Sequence, residues 1–460
     1  MKKWFLLSLA LALIGVLILG SCGNPPTPSP SPSPSPSPTQ PVTGPKEILL
    51  GATVPLTGNL AGFGLGSGWG LRAAVDDINK LGGIFVKEHN RKIPVRLVMV
   101  DNLSDPIKAG TLAEDLILRD KVDFMVSGNE SPPAFASTAT VAEKYKTTYC
   151  GNVGPFEPYN AMRSQASPPW KYVWSTGFHI AAPASPGDFR YNKQGYTIMD
   201  LAATLVNQFG SQTNKRTAIF ASDEPDGRGW YSTFPAALKS LGLDVFGADK
   251  ELGMAPPNAT DFSSIIKQWK DYNCEIMFGN ALAPWFGTLW RQCHELGFKP
   301  KLVYAGRAAL YYVDINAWGG DLPWGVGCEG IWSASYDAKV CPGIGNTTPQ
   351  SLAQRWSQDN NQPLNPALGW SYANVQIIAD AIERAGTLDK DKVNAALAQT
   401  DLLTISNRVK YDEFQFSQFP LWWLQWSKTD KPYKWEGECV VSNHDFIPTT
   451  AKPLFPIPYP

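Results

Sequence analysis

The side chains best equipped for chemistry are few, and their spacing argues against most of what they could do. His89, His179, His294 and His444 are scattered without ligand spacing, and no C-x-x-C pair occurs, so a zinc site is not expected. Asp223, Glu224 and Asp226 could imitate a general acid and base, but surface loops often carry such clusters and no partner base stands near them. No G-x-S-x-G, H-E-x-x-H or Walker segment is present, and the glycines of GLGSGWG at 64–70 lack dinucleotide-loop spacing. They read instead as a tight turn giving a ligand access to the backbone. Catalysis, metal and cofactor are all unexpected on this reading. Six cysteines follow Cys22: Cys150, Cys274, Cys293, Cys328, Cys341 and Cys439. An even number in an exported chain suggests disulfides, with 15 pairings open. Cys328 with Cys341 is preferred because the loop between them is short, glycine-rich and polar, and Cys274 with Cys293 is the second candidate.

The remaining cysteine explains why export is expected. Lys2 and Lys3 precede an apolar run from Trp4 to Leu19, which has the length of a secretion signal and is marginal as a spanning helix of about 20 residues. Leu19, Gly20, Ser21 and Cys22 resemble a bacterial lipobox, in which the thiol carries the lipid. Residues 1–22 are therefore read as a lipoprotein signal and Cys22 as the lipidation site. Residues 23–45 form a Pro/Ser-rich tether. Alternating Pro and Ser favours extended polyproline II, reaching on the order of 70 Å. The protein is expected outside the cytoplasm, in the periplasm or on the outer face of the cell membrane, held by its lipid.

About 415 residues remain beyond the tether, enough for two domains with real cores. Forty basic against 41 acidic residues give a net charge of −1, so no global field favours nucleic acid. Hydrophobic residues at 43% and charged ones at 18% fit a compact body. Ile48–Val54 reads as a buried strand closed by Pro55, Thr57 and Gly58, and a helix carrying Leu71, Ala74, Val75 and Ile78 begins from Gly70. Strand 94–100, a helix capped by Asp105 and Pro106, and strand 122–126 continue the alternation. It restarts with helix 199–209, strand 217–221, helix 230–241, a helix capped by Asp261, strand 275–278, helix 284–296 and strand 301–305. Helices at 349–359, 369–385 and 389–399 and a strand at 421–426 complete the set. Strands alternating with helices predict parallel sheets covered on both faces, here in two similar α/β lobes.

The segment GATVPLTGNLAGFGLGSGWGLRAAVDDINKLGG at 51–83 resembles the opening of the type I periplasmic solute-binding proteins, in particular the branched-chain amino acid group of ABC importers. VMVDNLSDPIKAGTLAEDLI at 98–117, VDFMVSGNES at 122–131 and AIFASDEPDGRGW at 218–230 are similar to later segments of that family. The resemblance implies two Rossmann-like lobes with parallel sheets, joined by a three-crossover hinge near Gly177, Gly306 to Gly330 and Asn407 to Phe414. Lobe one would comprise 46–176 and 331–405, lobe two 177–330 and 406–445, with a Pro-rich tail at 446–460. It further implies a monomer that captures a small amino acid or a carboxylate-bearing apolar solute between closing lobes and delivers it to a permease and its ATPases. A sensor of the same fold reporting to a receptor is the alternative, and a purely structural lipoprotein is a third.

Carried over residue by residue, ligand contacts fall on Phe63, on Asn129 and Ser131, on Gly154 to Phe156, on Asp226, and on the turn from Asn280 to Trp285. Phe63 and Trp285 could flank an apolar ligand body, with simple packing an equal alternative for each, and Ser131 could donate to a carboxylate. Arg307 in AGRAAL stands where the family places an acidic partner for the ligand's ammonium, so it is expected to hold a carboxylate bidentately. Asp226 could then take the ammonium. Pro132 and Pro133 remove backbone donors just after Ser131.

Overall fold

The computed structural model describes residues 44–181 and 184–459. Cys22, the signal segment and nearly all of the tether lie outside the described residues. No helix among the described residues is long and apolar enough to cross a membrane.

Ile48–Val54 forms a strand buried at every position but Leu49, as its unbroken apolar run requires when both faces are covered. It pairs in parallel with Val95–Asp101 and with Phe124–Val126, and the sheet continues through Tyr149–Cys150 and Val173–Phe178 to Phe416–Gln418. Gly154–Pro155 adds a short pair to Val173–Phe178, making seven strands among the described residues, all parallel. The second sheet has eight among the described residues. Arg216–Ser222, Ile276–Asn280, Leu302–Gly306 and Gly327–Gly330 are its parallel centre, and Trp422–Lys428 and Trp435–Ser442 close one edge antiparallel.

The chain leaves the first sheet after Phe178, enters the second at Arg216, and returns after Gly330 to cover the first with helices Pro349–Asn360, Ala367–Ala385 and Lys390–Leu397. The segment 406–445, read from sequence as lobe two, divides. Phe416–Gln418 pairs with Val173–Phe178 of the first sheet, and the chain passes through Phe419, Pro420 and Leu421 into the second. The Pro-rich tail is seated on the second lobe, where Phe455 stacks on Phe209 at 4.6 Å and Tyr459 donates to Pro300 O at 2.6 Å.

The glycine-rich stretch differs from expectation. Instead of a turn at 64–70, helix Ala61–Lys80 runs straight through it. Glycine inside a helix costs about 0.5–1 kcal/mol relative to alanine, so something must offset it, and close packing does. A Cβ on Gly64 would stand 2.0 Å from Pro55 O, and one on Gly70 would stand 2.3 Å from Leu368 O. Gly64 lets this helix close on the chain leaving the first strand, and Gly70 lets helix Ala367–Ala385 approach it almost backbone to backbone. The Asp105 cap is as read, its carboxylate accepting from Ile107 N at 2.7 Å and Lys108 N at 3.1 Å.

The disulfide expectation is overturned. Cys150, Cys274, Cys293, Cys328, Cys341 and Cys439 are buried free thiols, so neither Cys328–Cys341 nor Cys274–Cys293 forms a bridge. Each packs in the hydrophobic core as a small apolar side chain. Burial pushes the thiols of Cys150, Cys274, Cys341 and Cys439 up to about 12, and those of Cys293 and Cys328 well above the ordinary range. Protonated, shielded thiols are poor nucleophiles. In protein starting after Cys22, iodoacetamide should leave the native fold essentially unlabelled and should label all six in denaturant without reductant, read by intact mass. A shortfall in denaturant would reveal bridges.

Candidate functional site

The carboxyl ends of both parallel sheets face one cleft, the place where open α/β sheets present loops and helix starts to ligands. Lobe one contributes Leu60 and Phe63 after its first strand, Glu130, Ser131 and Pro132 after the third, and Val153, Gly154, Pro155 and Phe178 beyond. Lobe two contributes Asp226, Asn280, Arg307, Leu310, Glu329 and Ile331. Register explains the convergence. Asn280 lies opposite both Ala221 and Gly306, so the helix start that carries Asp226 and the loop that carries Arg307 emerge beside it.

The lining is apolar except for Glu130 and Ser131 in lobe one and one charged cluster in lobe two. Arg307 has φ of +61°, a left-handed conformation uncommon for a residue with a Cβ. Its N–H donates to Glu329 Oε1 at 3.0 Å, and its guanidinium meets Glu224 Oε1 at 2.5 Å, Asp226 Oδ2 at 2.9 Å and Ser222 Oγ at 3.2 Å. The free carboxylate-binding cation expected from sequence is thus already engaged by two acids. Asn280 Nδ2 donates to Asp226 Oδ2 at 3.2 Å, and because a carboxylate only accepts, that contact fixes the amide's orientation. Asp226 Oδ1, Asn280 Oδ1 and Arg307 Nε are buried with no hydrogen-bond partner. Buried polar atoms are seldom left unpaired in folded proteins.

Burial is the largest influence on every carboxyl here. It raises Asp226 despite Arg307, and it raises Glu130 despite bonds from Thr53, Tyr149, Thr138 and Asn102. Glu329, which accepts from Tyr304 Oη at 2.6 Å, is pushed up to about 7. For Glu224 the adjacent Arg307 and the Asp226 and Gly227 amides outweigh burial and hold it below the usual range. Among the described residues, no group of three or more His, Cys, Asp or Glu could hold a metal ion.

Of the residues predicted from sequence, Phe63, Ser131, Gly154, Asp226, Asn280 and Arg307 line this cleft. Three others lie elsewhere. Asn129 is buried and donates to Ser67 Oγ at 2.7 Å and Ser371 Oγ at 2.9 Å, tying two helices to the sheet. Phe156 stacks on His179 at 4.3 Å and packs against Phe414 and Phe416. Trp285 turns into the lobe-two core, donating to Pro256 O at 2.9 Å and lying edge-on to Phe262 at 4.6 Å. Sequence reasoning passed over Glu130, Phe178, Leu310 and Glu329. Glu130 lay between two named candidates, whereas Glu329 sits on a short strand with no motif around it.

Comparison with known proteins follows this geometry. A family described as periplasmic binding protein matches residues 47–430. The Leu/Ile/Val-binding protein BraC3 of Rhizobium johnstonii is 24% identical over 407 residues, covering 86% of this chain and 94% of that protein. The branched-chain amino acid transporter substrate binding protein LivJ of Streptococcus pneumoniae, solved with isoleucine, superposes with a TM-score of 0.62 at 15% identity, covering 85% of this chain and 99% of that one. An R. palustris ABC transporter solute binding protein solved with 4-hydroxybenzoate gives 0.63 at 17%, covering 87% and 98%.

Proposed function

The chain belongs to the periplasmic binding protein family, and we propose that it is the extracytoplasmic capture component of an ABC importer, holding a small amino acid or an apolar carboxylate between its lobes. The named relatives bind solutes of those two classes by their descriptions. Between them, this cleft favours a solute that carries an amine. The observation that carries the reading is the pair of buried acceptors without partners, Asp226 Oδ1 and Asn280 Oδ1. An ammonium donates up to three hydrogen bonds and brings the charge that one arginine shared by two acids leaves wanting. A solute carboxylate would turn to Ser131, whose hydroxyl caps no helix N–H, and to the backbone near Gly154. Its side chain would lie against Phe63, Val153, Phe178, Leu310 and Ile331.

The sequence supports the rest of the assignment: a lipid on Cys22, a tether, and permease and ATPase partners acting on a monomer that binds without catalysis. A sensor role has no observation in its favour. Small-angle scattering with a thermal-shift screen of L-leucine, L-isoleucine, L-phenylalanine and 4-hydroxybenzoate tests capture. A true solute should compact the protein and, at 100 times its Kd, stabilise the fold by about 2.7 kcal/mol. Compaction by none of the panel, with no thermal shift, would contradict it.

A further inference from the structure

Beside the cleft, the first turn of helix Ala61–Lys80 in lobe one meets helix Tyr312–Trp318 in lobe two. Phe63 lies edge-on to Tyr311 with ring centroids 4.5 Å apart at 64°. Gly62 makes the closest approach: a Cβ there would stand 2.4 Å from Asp314 Oδ2 and 3.1 Å from Tyr311 Cβ. The contact brings a half-buried carboxylate against glycine backbone, and the Asp314 side chain has no protein hydrogen-bond or ion-pair partner among the described residues. We propose that the contact of Gly62 with Asp314 is a proton-operated clasp between the lobes, so that closing on a solute takes up a proton at Asp314.

Taking an unpaired carboxylate out of water favours its neutral form. Burial pushes Asp314 up to about 7, and no charge contributes to that shift. The groups around it agree. Helix Ala61–Lys80 presents Gly62 and Phe63, and Tyr311 is a phenol held neutral by burial first and by the Asp314 and Glu329 carboxyls after it. On the elements packed behind the Asp314 helix, Arg291 donates to Trp318 O and Glu436 pairs with Lys431. If the lobes part, Gly62 and Phe63 withdraw and Asp314 returns toward the ordinary aspartate value near 3.9. The closed form then has the higher pKa and binds more protons. Between these two values closing protonates the acid and is favoured as pH falls, and as pH rises above about 7 closing must desolvate a charge. Closure is therefore strengthened at low pH and weakened at high pH.

The proposal rests on the reading that the lobes close around a solute, and the test separates the two. L-leucine titrated calorimetrically at pH 8 and pH 6 should bind up to about tenfold more tightly at the lower pH, the limit set by one group that titrates near neutrality only in the closed form. Asp314→Asn should remove that dependence and Gly62→Ala should weaken binding at both pH values. Scattering without any solute is the second readout. The wild-type radius of gyration should shrink from pH 8 to pH 6, and that of Asp314→Asn should stay at the smaller value. A wild type without pH response, or a response equal in Asp314→Asn, overturns the clasp. Failure of solute capture itself shows differently, as no solute-induced compaction at any pH in either protein.

Discussion

Replacing Asp226 with alanine should lower solute affinity by about 2 to 5 kcal/mol, or roughly 30- to several-thousand-fold, because it truncates one member of a buried, hydrogen-bonded charge set. The variant removes the unpaired Oδ1 and the oxygen that receives both Asn280 Nδ2 and Arg307. Arg307 would keep Glu224, so the fold should survive. Asp226→Asn holds the shape while deleting the charge, and a loss nearly as large would assign the effect to the ammonium partner. Trp285→Phe is the contrast. Its ring lies in the lobe-two core, so it should change stability and leave affinity alone. Isothermal titration of the three variants against one bound solute measures the affinities, and urea denaturation measures the stability change at Trp285.

The largest expected loss of stability is at Arg190. Its side chain is 1% exposed and pairs with Asp188, itself 8% exposed, at 2.6 Å. It also donates to Ser417 Oγ and Lys410 O, each at 3.0 Å, and to Gln418 O. It thereby ties the loop after the first passage between the lobes to the strand just before the third. Removing one partner of a buried pair strands the other charge, at a cost of about 3 to 5 kcal/mol. Arg190→Met should lower the urea midpoint by that equivalent. The added Asp188→Asn should recover part of the loss, since the stranded carboxylate disappears. Equal loss in the single and double variants would show that the backbone contacts, and not the charge, dominate.

Local signals were readable where they were strong. Ile48–Val54 could only be a buried strand, and Asp105 with Pro106 could only open a helix, because each feature is complete within a few residues. The start of helix Ala61–Lys80 was not readable. Alternating glycines have poor helix propensity, and what stabilises the helix is the approach of Leu368, a contact far away in sequence. Six cleft residues were found because strand ends converge whatever fills them. For Trp285 the packing alternative describes what the structure shows: it shares the inward face of helix Ala283–Glu295 with Phe286 and Leu289. The engagement of Arg307 by Glu224 and Asp226 needs three strand ends in register, which no local pattern encodes. Cysteine pairing failed for a similar reason, since an even count carries no geometry.

The most direct test of the account is calorimetric titration of matched pairs that differ only in the amine: L-leucine against 4-methylpentanoate, and L-phenylalanine against 3-phenylpropanoate. The account predicts that the amino acid of at least one pair binds and that removing its amine weakens binding by at least about 30-fold, the lower bound for losing a buried charge contact. Equal or tighter binding of the amine-free carboxylate would contradict it, and would return Arg307 to the role of anion partner.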